Sequence, residues 1–101
     1  MFKAMILLKR KESMSRQDFA RWWLEAHAPL ARQLPGLKKA VFNLVQNEED
    51  SDVDGISELW FDSRADFDSA YASDIGQQVA ADSIANVANR MRLLVQEHPV
   101  A

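Results

Sequence analysis

No cysteine occurs in this chain. A disulfide framework, a thiolate metal site and a cysteine nucleophile are therefore excluded, and with nothing to indicate an oxidising compartment the expected location is cytoplasmic. Glycine and proline are scarce, at three residues each. Three glycines are too few to cradle a dinucleotide, and the chain has no glycine-rich phosphate loop and no serine elbow flanked by glycines. The two histidines, His27 and His98, are too far apart in sequence to form a close-spaced ligand pair, and there is no His-Glu-x-x-His string. No cofactor and no metal are expected. The apolar run at the N-terminus is too short to span a bilayer and no small-residue cleavage pattern follows it, so neither a membrane segment nor a leader is expected. A net charge of -3 gives no reason to expect nucleic acid or an acidic membrane as partner.

What the chain does have is apolar content, 48% of its 101 residues. That suffices for one domain over residues 1–101 around a single core and leaves no room for a second. Charge is unevenly placed: nine of the twelve basic residues lie between Lys3 and Lys39, and twelve of the fifteen acidic ones lie from Glu48 onward. Such polarity suits the docking of two copies; the plainer alternative is solvated helix and loop faces.

Phe2 to Lys9 reads as a strand that leaves its sheet at the charged cluster Lys9-Arg10-Lys11-Glu12. Ser15, with Asp18 three residues on, marks a helix N-terminus. Phe19, Trp22, Trp23, Ala26, Leu30, Ala31 and Leu34 form a stripe at helical spacing, opposite the charged Asp18, Arg21, Glu25 and Arg32. Pro29 inside that pattern predicts a kink or break near Ala28, and Pro35-Gly36 ends the element. Leu37 to Gln46 predicts a second strand and Asn47 to Asp52 an acidic loop. Gly55 to Asp62 predicts a third strand, with Ile56, Glu58 and Trp60 on one side and Ser57, Leu59 and Phe61 on the other. Ser63 with Asp66 caps a second helix, which restarts at Ser73-Asp74 and runs to about Ala81. A less regular stretch from Asp82 to Asn89 is expected before a last strand, Arg90 to His98, stopped by Pro99.

The order β-α-β-β-α-β predicts an α+β, ferredoxin-like domain with both helices on one face of a four-stranded antiparallel sheet. The other face is left bare. In so small a domain an exposed apolar sheet calls for a partner, and a second copy meeting it through the same face is the simplest one, giving a homodimer.

The string Trp22-Trp23-Leu24-Glu25-Ala26-His27-Ala28-Pro29-Leu30, followed by Leu34-Pro35-Gly36-Leu37, resembles the family of small EthD-domain proteins. Met14-Ser15, Asp54 to Phe61 and Val95-Gln96-Glu97-His98 support the likeness, which extends over nearly the whole chain. The resemblance implies a dimeric α+β barrel, two ferredoxin-like sheets packed face to face with the helices outside. Relatives of that fold include cofactor-free muconolactone isomerases, polyketide dehydratases and cyclases, and small monooxygenases. The founding members are associated with a cytochrome P450 system for ether degradation. Catabolism or secondary metabolism of a small hydrophobic molecule is thus implied, with the reaction left open, because one scaffold supports many chemistries.

His27 is the candidate catalytic residue. It lies beside the stripe of Trp23, Leu30 and Leu34, and a histidine held in apolar surroundings stays neutral near pH 7, able to accept a proton at one nitrogen while donating at the other. The alternative is a core histidine bonded to backbone carbonyls, including those freed by Pro29. Asn43 and Glu58 are polar residues on otherwise apolar strands; if they face the helices they supply an amide and a carboxylate to the same pocket, and otherwise they are edge or interface residues. Trp23 and Trp60 are the candidates for lining a cavity sized for a small ring, although tryptophans at such positions commonly serve packing alone. His98 is expected at the surface or in a dimer contact. Two functions follow: a cofactor-independent enzyme (isomerase, lyase or monooxygenase) in which His27 moves a proton on a carbonyl, lactone or polyketide-type substrate, or a non-catalytic accessory or carrier protein that binds a hydrophobic metabolite. A purely structural dimer is the third possibility.

Overall fold

A computed structural model describes residues 1–101. The elements follow in the order β1 (Phe2–Arg10), a helix α1 over residues 16–31, β2 (Lys39–Leu44), β3 (Gly55–Phe61), α2 (Arg64–Ala72), α3 (Asp74–Asn86) and β4 (Val87–Val95). The sheet order is β2-β3-β1-β4, with every neighbouring pair antiparallel. β1 and β2 therefore run parallel on either side of β3, and β3 and β4 do so on either side of β1. This is the ferredoxin-like split β-α-β arrangement, of class α+β, that the element order predicts. No helix is long and apolar enough to cross a membrane.

Strand alternation sorts the sheet into two faces. Ala4, Ile6 and Leu8 of β1 and Ser57, Leu59 and Phe61 of β3 are buried under the helices. The opposite face carries Met5 and Leu7, which pair across to Leu93 and Met91 of β4. Met91 is 50% exposed and Leu93 41%, so in the single chain this face keeps apolar surface in water.

The first helix departs from the expected break at Ala28. Ser15 accepts a hydrogen bond from the Asp18 N–H and starts an α-helical segment, Arg16–Arg21. The chain then widens into a π-helical segment, Trp22–His27, and returns to α-helix at Ala28–Ala31. Ala28 itself is helical, at φ -59° and ψ -44°, and its N–H bonds to the Trp23 carbonyl five residues back. Proline in an α-helix lacks the N–H for the bond to residue i-4 and its ring collides with that carbonyl. Shifting the preceding bonds to the i→i+5 pattern opens the turn where the Pro29 ring must fit, so the helix accommodates Pro29 by widening.

That widening decides which side chains face the core. A turn bonded i→i+5 holds more residues than the 3.6 of an α-helix, so positions four apart stay aligned. Phe19, Trp23, His27 and Ala31, each four residues from the last, are all buried, whereas Ala26, expected in the stripe, is exposed and Leu30 is half-buried. Trp23 stacks on Phe42 of β2 and approaches the Cα of Gly55 on β3, where a β-carbon would stand 2.8 Å from the indole ring. Gly55 is thus a close-approach glycine.

The last third of the chain is more regular than its sequence suggests. Residues 82–86, expected to be irregular, continue α3, and β4 begins at Val87 and ends at Val95, not at Arg90 and His98. A shift of register between Lys9 and Arg10 pairs Val87 with Arg10, which brings the strand in earlier. β2 is likewise shorter than Leu37 to Gln46. The acidic loop that follows it is tied down by cations: Arg16 donates to the carbonyls of Asn47 and Glu49, and the Arg10 guanidinium donates to the Asp50 carboxylate.

Candidate active site

The π-helical segment and α3 meet at His27. Its Nδ1 lies 2.8 Å from Oδ2 of Asp82 and its Nε2 lies 3.3 Å from Oγ of Ser83. A carboxylate only accepts, so Nδ1 carries the proton and donates to Asp82; Nε2 is then the acceptor, receiving the Ser83 hydroxyl. Asn86, one turn further along α3, donates from Nδ2 to the Asp82 carbonyl at 2.8 Å and to its carboxylate at 3.3 Å. The imidazole is 5% exposed, and Trp22 lies against it with ring centroids 5.1 Å apart. Asp82 and Ser83 were not foreseen from the sequence. The available signal was spacing: Ile75, Val79 and Ser83 recur at four residues, with a serine in the third apolar slot.

Burial pushes the His27 pKa below its ordinary value of 6.5. The Asp82 carboxylate opposes that shift and the charge of Arg90 reinforces it. Because the folded state binds this proton less readily than the unfolded chain, stability is complete above the unfolded value and is lost as pH falls below about 6.5 toward the folded one. Thermal unfolding of the wild type should therefore fall in midpoint between pH 7.5 and 5.5. His27→Gln, which has nothing to titrate there, should flatten that slope; equal slopes in the two proteins would contradict a neutral, buried imidazole.

This geometry is suited to proton transfer. A neutral imidazole presents a lone pair at Nε2, and the carboxylate behind Nδ1 stabilises the imidazolium formed when Nε2 takes a proton, the logic of a carboxylate-backed base. Ser83 is buried, at 3% exposure, so its hydroxyl holds the ring in place and is not displayed as a nucleophile. Two further donors lie in the same segment without a partner: the indole N–H groups of Trp22 and Trp23 are buried and unbonded. An unpaired buried donor costs about 1–3 kcal/mol.

The other predicted residues divide between two places. Trp23 is fully buried in the core, at 0% exposure, and reaches the site only through Phe42, whose ring is 6.2 Å from that of His27. Asn43, Glu58 and Trp60 are not at His27: the parity of β2 and β3 puts all three on the helix-free face of the sheet. There they form a cluster of their own. Glu58 accepts from Lys3 at 2.7 Å and from Asn43 at 3.0 Å, contacts that hold its carboxyl below the usual range and raise the Lys3 ammonium. Trp60 donates to Glu97 at 2.6 Å and is flanked by the ammonium groups of Lys3 and Lys39 at 4.6 and 4.8 Å. The shared pocket required these strands to point inward, and a strand of period two cannot bury Ser57, Leu59 and Phe61 while also burying Glu58. His98 is exposed.

A cavity of about 380 Å³ opens between the end of α1 and β2, bounded by Ala28, Ala31, Leu37, Ala40 and Phe42. Phe42 stands between it and the imidazole.

Comparison with known proteins places this architecture. The sequence pattern described as the EthD domain matches residues 11–90. No curated protein matches. Among solved structures, an ethyl tert-butyl ether degradation (EthD) family protein from Bacillus halodurans superposes with a TM-score of 0.83 at 21% identity, covering 97% of this chain and 100% of the other. A dimeric ferredoxin-like protein of unknown function from Thermobifida fusca follows at 0.76 and 15% identity, covering 93% and 88%. SnoaB, a cofactor-independent oxygenase from Streptomyces nogalater, reaches 0.69 at 14% identity over 98% and 94%. At these identities the likeness is one of fold.

Proposed function

This chain belongs to the EthD domain family, and we propose that it is a cofactor-independent acid-base enzyme acting on a small hydrophobic carbonyl, lactone or polyketide-type metabolite, with His27 as the base. The observation that carries the proposal is the hydrogen-bond chain Asp82–His27–Ser83, in which the imidazole and the serine are buried and the carboxylate is half-buried. A substrate carbon acid beside a carbonyl gives its proton to Nε2 as Ser83 yields that bond; the imidazolium, paired with Asp82, then returns the proton to another carbon or to a leaving hydroxyl. The balance closes without an oxidant or a metal. The indole donor of Trp22, whose ring lies against the imidazole, supplies a hydrogen bond suited to an enolate oxygen. A structural neighbour that is itself a cofactor-independent oxygenase agrees with chemistry on this scaffold without a bound helper.

The second reading, a non-catalytic accessory or carrier protein for a hydrophobic metabolite, is favoured by one feature: both ring nitrogens of His27 are already bonded within the chain. The two separate in heavy water. Incubated with a panel of enolisable ketones and lactones, the enzyme exchanges α-protons for deuterium, read by proton NMR, faster than buffer does; a carrier returns its ligand unlabelled.

The helix-free sheet face is proposed as a homodimer interface, through which two copies bury Met5, Leu7, Met91 and Leu93. The Lys3–Glu58–Asn43 cluster then sits inside the contact as a polar element that sets its register. Leu93→Asp, which plants a charge on that surface, should weaken the dimer by at least about thirtyfold, the effect of losing a hot spot worth about 2 kcal/mol. Analytical ultracentrifugation across a dilution series reads this. A wild type that sediments as a monomer throughout would remove the proposed interface.

A further inference from the structure

The cavity next to Phe42 has a charge character that contacts within the chain use only in part. Its floor is apolar, from Ala28, Ala31, Leu37, Ala40 and Phe42, while its two remaining lining residues are the cations Arg32 and Lys38, both exposed. No acidic residue lines it. Lys38 shares its charge with Asp62 at 3.5 Å, itself largely exposed, and Arg32 pairs with no carboxylate. The volume of 380 Å³ is that of about a dozen waters, room for a ligand of about ten heavy atoms.

We propose that this cavity binds a small organic carboxylate, its apolar body on the alanine and leucine floor and its carboxylate at Arg32 and Lys38. An apolar floor holds the body by burial, and a guanidinium offers the planar pair of donors that a carboxylate accepts. The polarity fixes the orientation: with the charge at the mouth, the uncharged end points inward to Phe42, whose ring stacks on Trp23 at 4.6 Å and lies 6.2 Å from His27. Phe42 lines the cavity and also faces the imidazole, so passage from one to the other requires its side chain to turn. The substrate class is then a carboxylic acid that reacts at the end remote from its carboxylate. That this anion is a substrate rests on the acid-base reading of His27; that it binds does not.

Phenylacetate and its neutral counterpart phenylacetamide test the assignment on the isotope-labelled full chain. Phenylacetate should shift the backbone amides of Ala31, Arg32, Leu37 and Ala40 saturably and bind about fivefold more tightly than the amide, the factor that an exposed ion pair of about 1 kcal/mol provides. Arg32→Gln should abolish most of that preference while leaving amide binding in place. Equal affinities for acid and amide, no saturable shift with either probe, or shifts confined to the helix-free sheet face would overturn it. The wild type keeps the two questions apart: selective phenylacetate binding without any deuterium exchange defeats the catalytic reading alone, and exchange without selective binding defeats this one alone.

Discussion

Gly76→Ala is expected to leave the chain unable to hold its fold at 37 °C. A β-carbon at this position would stand 2.0 Å from the Ala70 carbonyl oxygen and 2.4 Å from the Cα of Tyr71. Both are backbone atoms, which cannot swing aside as a side-chain end does. They belong to α2, and Gly76 lies in the first turn of α3, so the clash acts at the corner where the two helices join. That corner is already bonded tightly: Ser73 accepts the Gly76 N–H at 3.1 Å and donates to the Ala70 carbonyl. Relieving the contact means parting α2 from α3, at a cost of about 4 kcal/mol or more, against total stabilities of about 5–15 kcal/mol for domains of ordinary size. Gly36→Ala is the control. Gly36 sits at φ +77° with no atom nearer to a new β-carbon than 3.9 Å, so it suffers only the left-handed backbone penalty of about 1–2 kcal/mol. Urea unfolding followed by circular dichroism separates the two, and similar midpoints would mean that α2 and α3 do not meet this closely.

The largest effect on chemistry belongs to His27→Gln. Glutamine retains an amide able to bond Asp82 and Ser83 but has no lone pair basic enough to take a proton, so the deuterium exchange described above should fall by about 10²–10⁴, the range that a positioned general base supplies. Asp82→Asn should fall less, because the imidazole keeps its lone pair and loses only the charge that stabilises its protonated form. Full activity in His27→Gln, with loss in Glu58→Gln, would move the chemistry to the open sheet face.

That second outcome matters because sequence and structure part company at Glu58. An acidic residue on a strand among Ile56 and Trp60 is conspicuous in the sequence, and its side of the strand is legible from alternation, yet which side the helices cover is not. The answer came from the neighbouring residues: Ser57, small and polar, sits inward beside Leu59 and Phe61, and the larger Glu58 and Trp60 look outward to Lys3 and Lys39. Pro29 is a similar case. Its missing N–H was plain, but whether a helix breaks or widens depends on what the displaced side chains gain, and here widening places Trp23 and His27 together in the core.

Local pattern was sufficient for most of the element types, the caps at Ser15 and Ser63, the helix restart at Ser73-Asp74 and the ferredoxin-like order, because hydrophobic period and capping chemistry act over a few residues. It was insufficient for the site. His27 meets a carboxylate 55 residues away, and that meeting depends on α3 running on through Asp82 and Ser83 and crossing the π-helical segment at one height and one rotation. Those quantities are set by how the two helices pack on a shared sheet, a balance of contacts across the whole domain that no window of neighbouring residues contains.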